Sequence, residues 1–301
     1  MQYQKPAIDI AQQIQKLESR GLVIADKAVA AHFLSQISYY RLAGYWWPMQ
    51  SDKVKHKFRE GATFEAVIDL YNFDRELRLI MFNMIERIEI AIRTQLIYHL
   101  SMAYGPHWLE DKGLFQHSVR WVEHLNKIKN EVNRSKEVFI KEHRKKYKKD
   151  HRFPPSWKSL EVISLGLLSK LYENLKNNLP EKKQIAKNLQ TGNHTFLTSW
   201  LQSITVVRNI CAHHSRLWNR NLPTPPRLLR KAPLPWIDTS NLDPHKLYAV
   251  ISAMQYLLQT ISPGNHFKQR LEQLFQDYPG VDIKPMDFPA NWHEQPLWNQ
   301  T

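Results

Sequence analysis

The chain has 301 residues, enough for one large core or two modest ones without a metal or disulfide staple, and one cysteine, Cys211, which points to a reducing compartment such as the cytoplasm. Its nine glycines lie at least eight positions apart, which excludes a Walker loop, a dinucleotide fingerprint and a G-x-S-x-G elbow, each of which needs clustered glycine. Lys and Arg exceed Asp and Glu by 42 to 28, a formal +14 that suits a polyanionic partner, nucleic acid first.

The first twenty residues lack the charged-then-apolar order of a signal peptide, and no apolar run approaches the roughly 18 residues of a membrane span, so a soluble, unprocessed chain is expected. Ile10, Ile14 and Leu17 recur at helical spacing before Gly21. Val29, Phe33, Ile37 and Tyr40 repeat the pattern behind Asp26, an N-cap candidate. In SYYRLAGYWWPMQ, Gly44 and Pro48 are expected to end the periodicity, and Tyr39, Tyr40, Tyr45, Trp46 and Trp47 crowd together. They read either as a plug joining subdomains or as a platform on which nucleobases stack.

The strongest period runs from Thr63 to about Tyr104. Leu70, Leu77, Met81, Met84, Ile85, Ile88, Ile92, Leu96 and Leu100 share a face, and Asp74, Arg78, Glu86, Arg87, Glu89 and Arg93 are read as largely off it. One long helix or two in series is expected. Arg93 and His99 form an R-x5-H by count, but Glu89 stands one turn before Arg93, and an ion pair within the helix accounts for the arginine.

Residues 117–150 continue as helix and become basic: KEHRKKYKKDHR, 141–152, sets Lys141, Arg144, Lys145, Lys146, Lys148, Lys149 and Arg152 against two acids. The run is either a solvated face or a surface that tracks phosphates. Phe153-Pro154-Pro155 breaks the helix. Further helices follow over Leu160–Leu171, about 181–190, 195–214, 244–262 and 265–277, with a proline-studded stretch between the third and fourth of these and an extended Pro/Trp tail at the end. No strand alternation is convincing. The fold class is all-α, a multi-helix bundle, divided as a helical and aromatic subdomain at 1–62, a core at 63–280 carrying the basic insertion, and the tail at 281–301.

Chemistry concentrates in TVVRNICAHHSRLWNR, 205–220. Cleaving an RNA phosphodiester without a metal needs a base that titrates near neutrality and a fixed cation for the charge building on phosphorus; His and Arg supply these. Arg208 and His213 stand five positions apart, about 140° beyond a full helical turn, so they do not share a stripe. Either the helix loosens between them or another chain completes the site, and a two-fold dimer would bring two motifs together. The competing reading has the histidines capping the helix end and Arg208 paired with a buried carboxylate. A metal site is disfavoured, because His213 and His214 point about 100° apart with no local carboxylate to complete a ligand set; His194 and His245 could join only from afar. Ser215 and Cys211 lack a nucleophile's local signature.

R-N-x-x-x-H at Arg208–His213 resembles the R-x4-6-H signature of the HEPN superfamily of all-α ribonucleases and RNA-binding proteins. More specifically, RNICAHHSRLWNR resembles the distinctive block of the Abi-type proteins, the AbiD/AbiF-like abortive infection proteins of bacterial phage defence. ISYYRLAGYWWPM, YNFDRELRLIMFNMIERIEIAIRTQL and FPANWHEQPLW are similar to that family in the same order, so the resemblance spans nearly the whole chain with no departure in the motif. It implies an HEPN-like core and a metal-independent endoribonuclease, homodimeric and without cofactor, leaving 2′,3′-cyclic phosphate and 5′-hydroxyl ends. Arg208 and His213 would be the catalytic pair, supported by Asn209 and His214; R-x5-H fits as well, so which histidine acts stays open. The basic-run residues, with Arg216 and Arg220, would bind RNA, and a small noncoding RNA is an expected partner. The alternatives are a non-catalytic RNA-binding protein that scaffolds such an RNA and, more remotely, a DNA-binding regulator built on the N-terminal helices.

Overall fold

The computed structural model describes Gln2 and residues 4–299. Among them are twelve α-helices and one short hairpin, so the fold is all-α. The small N-terminal helices are α1 (Ile10–Glu18), closed by an Asp9 capping box, and α2 (Lys27–Ile37), where Asp26 accepts from the amides of Ala28 and Val29 at 2.8 and 3.0 Å. The α2 face is rotated one residue from its predicted register. Ala30 and Leu34 are buried and Val29 is exposed, because α1 covers only the strip facing it.

Gly44 does not end a helix as expected. It sits inside α3 (Tyr39–Trp46), and Pro48 then opens a 3-10 turn. Tyr45 and Trp46 are buried plug residues, whereas Tyr40 and Trp47 face solvent. Next comes an antiparallel hairpin of β1 (Gln50–Asp52) and β2 (Lys57–Phe58), too short for period-2 patterning to announce it.

The long apolar period is one helix, α4 (Phe64–Tyr104), 41 residues and about 60 Å. Its stripe from Leu70 to Leu100 is buried and forms the spine of the molecule. The predicted helix over 117–150 is interrupted: α5 (Ser118–Arg134) and α6 (Val138–Lys146) are separated by extended backbone at Ser135 and Glu137. A single turn, α7 (Ser156–Ser159), follows the proline break, then α8 (Leu165–Asn174), α9 (Pro180–Asn188), α10 (His194–Ala212), α11 (Leu247–Ile261) and α12 (Phe267–Asp277).

Helix α11 is buried on every side from Leu247 to Leu258, the signature of a central helix, and packs on both α4 and α10. Helix α10 in turn packs on α4, α8 and α9, so the helix that carries Arg208 is held along most of its length. The proline-studded stretch is tied to this core where the Trp200 indole donates to the Arg227 carbonyl at 2.8 Å and Trp236 stacks on Trp200. The tail is less extended than its composition suggests. Two 3-10 turns bury Met286, Trp292, Leu297 and Trp298 against Tyr248, Phe267 and Phe275, and one hydrophobic core runs from Ile14 to Trp298. No helix among the described residues is long and apolar enough to cross a membrane.

Candidate active site

The R-x4-H motif occupies the last turn of α10 and the residues after it. The helix closes as a Schellman motif: the Ser215 amide reaches back to the Ile210 carbonyl (2.9 Å) and the His214 amide to Cys211 (3.0 Å). This needs a left-handed residue just past the cap, and His214 supplies it at φ 52° in place of glycine. A histidine there costs about 1 kcal/mol of conformational strain. His213 is the cap residue itself, its amide held by Asn209, and both imidazoles are exposed.

Beyond the cap, the backbone from His214 to Trp218 is fixed by three side chains, Arg41 of α3 and Asp74 and Arg78 of α4, with Tyr45 of α3 bonded to the last two. Asp74, fully buried, accepts from the Leu217 amide (3.0 Å) and the Trp218 amide (2.7 Å) on one oxygen, and from the Tyr45 hydroxyl (2.8 Å) and the Arg78 guanidinium on the other. Arg78 also reaches the Ser215 carbonyl at 3.5 Å, and Arg41 donates to the His214 carbonyl at 2.7 Å. Burial pushes the Asp74 carboxyl up, against the pull of Arg78 and the amide donors, and it raises the Tyr45 hydroxyl, with the Asp74 charge adding to the effect.

Asp74 and Arg78 therefore correct the sequence reading, which set them off the apolar face. At 100° per residue Asp74 lies within about 60° of Leu70, Leu77 and Met81, in the middle of the stripe. That arithmetic, with Arg78 one turn on, is the signal that could have found the clamp. Arg41 and Tyr45 carry no such signal, since only the tertiary fold brings α3 against residues 214–218.

Arg208 is half-buried and lines a cleft of about 400 Å³ with Phe82, Glu86, Glu89, Ile90 and Arg93 of α4. Among the described residues its guanidinium makes no hydrogen bond or ion pair, so it does not neutralise a buried carboxylate, and no hydrogen bond joins it to His213. Arg93 is committed elsewhere, to Glu89 (2.8 Å), to Glu161 and to the Ile163 carbonyl, which accords with the structural account of that arginine. His99 sits in a network with Gln95 and Asn188. Cys211 is buried, and desolvation pushes its thiol up to about 12, which leaves it unreactive. Asn209 is exposed beside the motif. Among the described residues no three His, Cys, Asp or Glu side chains gather as a metal-ligand set.

The basic residues divide by environment. Lys141, Lys145, Lys146, Lys148 and Lys149 are exposed on α6 and the turn after it, and Arg220 is exposed near the motif. Arg144 bonds back to the Val132 carbonyl (2.6 Å) and joins α6 to the end of α5. Arg152 is paired with Asp150 at 2.8 Å. Arg216 is half-buried and donates to the Gly44 carbonyl, and burial lowers its pKa.

The family model described as Abi-like protein matches residues 32–219, from α2 through the end of the motif block. The chain belongs to the Abi-like protein family. The matched span takes in α3, α4 and α10 together, which are the elements that build the Asp74 clamp and carry the R-x4-H block. No curated protein and no solved structure matches the chain. Membership supports a role in abortive infection defence.

Proposed function

We propose that this Abi-like protein is a metal-independent endoribonuclease of the HEPN type, with Arg208 and His213 as its catalytic pair. The observation that carries the reading is the division of labour at the end of α10. An arginine with no hydrogen-bond or ion-pair partner among the described residues sits in a cleft, and five residues on an exposed imidazole stands on a backbone clamped by a buried carboxylate. Fixing backbone so firmly around an exposed histidine is what proton transfer requires, since the base must sit within hydrogen-bond reach of one oxygen. In this mechanism His213 takes the 2′-hydroxyl proton, the oxygen attacks phosphorus, and Arg208 holds the non-bridging oxygens as charge builds. The 5′-oxygen leaves as a hydroxyl after taking a proton from water, His213 releases its proton to solvent, and the other product carries a 2′,3′-cyclic phosphate.

The five-residue spacing sets Arg208 and His213 about 140° apart around an ideal helix, which favours a homodimer in which two motifs form one composite site. The expected setting is the cytoplasm, with a small noncoding RNA as a restraining partner. Expressed in cells, Arg208→Ala and His213→Ala should abolish RNA cleavage and growth arrest while secondary structure is retained, with cleavage rates falling about 10²–10⁴-fold. Cleavage should persist in EDTA. Full activity in either variant refutes the assignment.

A second reading, a non-catalytic RNA scaffold, draws on the charge balance of the Arg208 cleft, where Glu86 and Glu89 offset Arg93 and Arg208. It predicts RNA retention without cleavage in EDTA, and loss of affinity in the motif variants.

A further inference from the structure

A second cleft, which Arg208 does not line, opens beside α3. It has about 960 Å³ between the residues preceding α1, α1 itself, α3 and the hairpin. Its cations are Lys5, Lys16 and Arg20, with His56 and Arg216, which donates to the Gly44 carbonyl, beside them, and among the described residues no aspartate or glutamate lines it. A surface so one-sided in charge selects an anion.

Aromatic rings form one wall. Tyr40 is 91% exposed and Trp47 45% exposed, unusual for large rings that could have been buried with their neighbours Tyr45 and Trp46. Beside them, the Tyr39 hydroxyl accepts from Arg20 at 3.0 Å and its ring meets Trp46 edge-on at 4.8 Å, and Lys53 sits 5.3 Å from the centre of the Trp47 ring.

The floor holds a polar group built for a ligand. Gln50 is 6% exposed, yet its side-chain oxygen has no hydrogen-bond partner, and the side-chain oxygen of Gln13 is unpartnered as well. A buried acceptor left unsatisfied costs about 1–3 kcal/mol, so its natural complement is an N–H donor entering from the cleft. Cations for phosphates, exposed rings for stacking and buried acceptors for base N–H groups are together the complement of single-stranded RNA.

We propose that this cleft is a binding groove for single-stranded RNA, separate from the Arg208–His213 pair. Bases stack on Tyr40 and Trp47, phosphates lie along Lys16 and Arg20, and Gln50 accepts from a base amino or imino N–H. Arg216, three residues after His213 and within the cleft, joins the groove to the end of the motif, so a strand lying in it approaches the catalytic histidine. The proposal extends the ribonuclease reading by adding an RNA track, and its binding test stands apart from cleavage.

The test is fluorescence anisotropy with a short labelled single-stranded RNA of mixed sequence, titrated with the full chain carrying His213→Ala so that the RNA stays intact. In that background Tyr40→Ala/Trp47→Ala should weaken binding at least about tenfold, and Trp47→Phe should retain most of the affinity. Lys16→Gln/Arg20→Gln should flatten the salt dependence by about two counterions. Both rings are exposed, so circular dichroism should be unchanged. Affinity of the double aromatic variant within about twofold of its parent overturns the proposal, as would an unchanged salt slope. If the native chain cleaves no RNA but the aromatic variant still loses affinity, the ribonuclease reading fails and the groove stands. If the native chain cleaves and the aromatic variant binds and cleaves equally well, the groove fails and the ribonuclease stands.

Discussion

Removing the Asp74 carboxylate tests whether the backbone after α10 is held by this one side chain. Asp74→Ala takes the acceptor from two backbone amides, Leu217 and Trp218, and from the Tyr45 hydroxyl, and it leaves the Arg78 guanidinium buried at 5% exposure without a counter-charge. Breaking one partner of a buried ion pair costs about 3–5 kcal/mol, and stranded amides add about 1–3 kcal/mol each where water cannot reach them. These terms overlap, because the segment can relax and admit water. A net loss of about 4 kcal/mol is therefore expected, against total stabilities of about 5–15 kcal/mol for domains.

Urea denaturation reads the stability, and amide hydrogen exchange at Leu217 and Trp218 reads the local effect. Asp74→Ala/Arg78→Met removes both charges and should recover part of the loss, since replacing both members of a buried pair is far milder than orphaning one. RNA cleavage by Asp74→Ala should fall chiefly in kcat, because His213 loses its rigid mount while the residues that touch RNA remain. A loss below about 1 kcal/mol, or Leu217 and Trp218 amides as protected as in the native chain, would refute the clamp.

Three other expectations concern His214, Lys182 and the basic run. His214→Gly relieves the left-handed backbone at φ 52° and should stabilise the chain by about 1 kcal/mol with cleavage intact; loss of cleavage would make His214 the working histidine. Lys182 is buried among the Glu173 and Leu175 carbonyls, and desolvation lowers its pKa to about 8, so from there to its unfolded value near 10.5 the unfolded chain binds more protons. Its contribution to stability should rise with pH across that window, by up to about 3 kcal/mol, and Lys182→Met should remove this rise in melts at successive pH values. Charge reversal of Lys145, Lys146, Lys148 and Lys149 should weaken RNA binding and flatten its salt dependence; an unchanged slope returns the run to an ordinary solvated face.

The helices were legible because helix formation is local. The apolar period from Leu70 to Leu100 and the Asp26 cap each lie within a few turns of sequence, and the structure places α4 and the start of α2 where they indicate; α6 ends at Lys146, short of the double proline at 154–155. Single-turn features were not legible: the hairpin at 50–58 and the break at 135–137 are too short to show a period. The Arg208–His213 block stood out by residue type alone, and so did the +14 charge.

What residue spacing could not supply is which charges are spent inside the fold. Arg78, Arg144 and Arg216 look as available as Arg208 in the chain, yet each is bound to a carboxylate or a carbonyl, and Arg208 has no such partner among the described residues. For Arg216, and for the burial of Arg78 beside Asp74, the packing of α3 and α4 against residues 214–218 decides that, because it joins positions some 140–170 apart in sequence. The same packing leaves Tyr40 and Trp47 in solvent while it buries Tyr45 and Trp46. Sequence alone thus determined the helical class, the family motif and the net positive charge. Tertiary structure decided which cations and rings are spent inside the fold and which stay exposed.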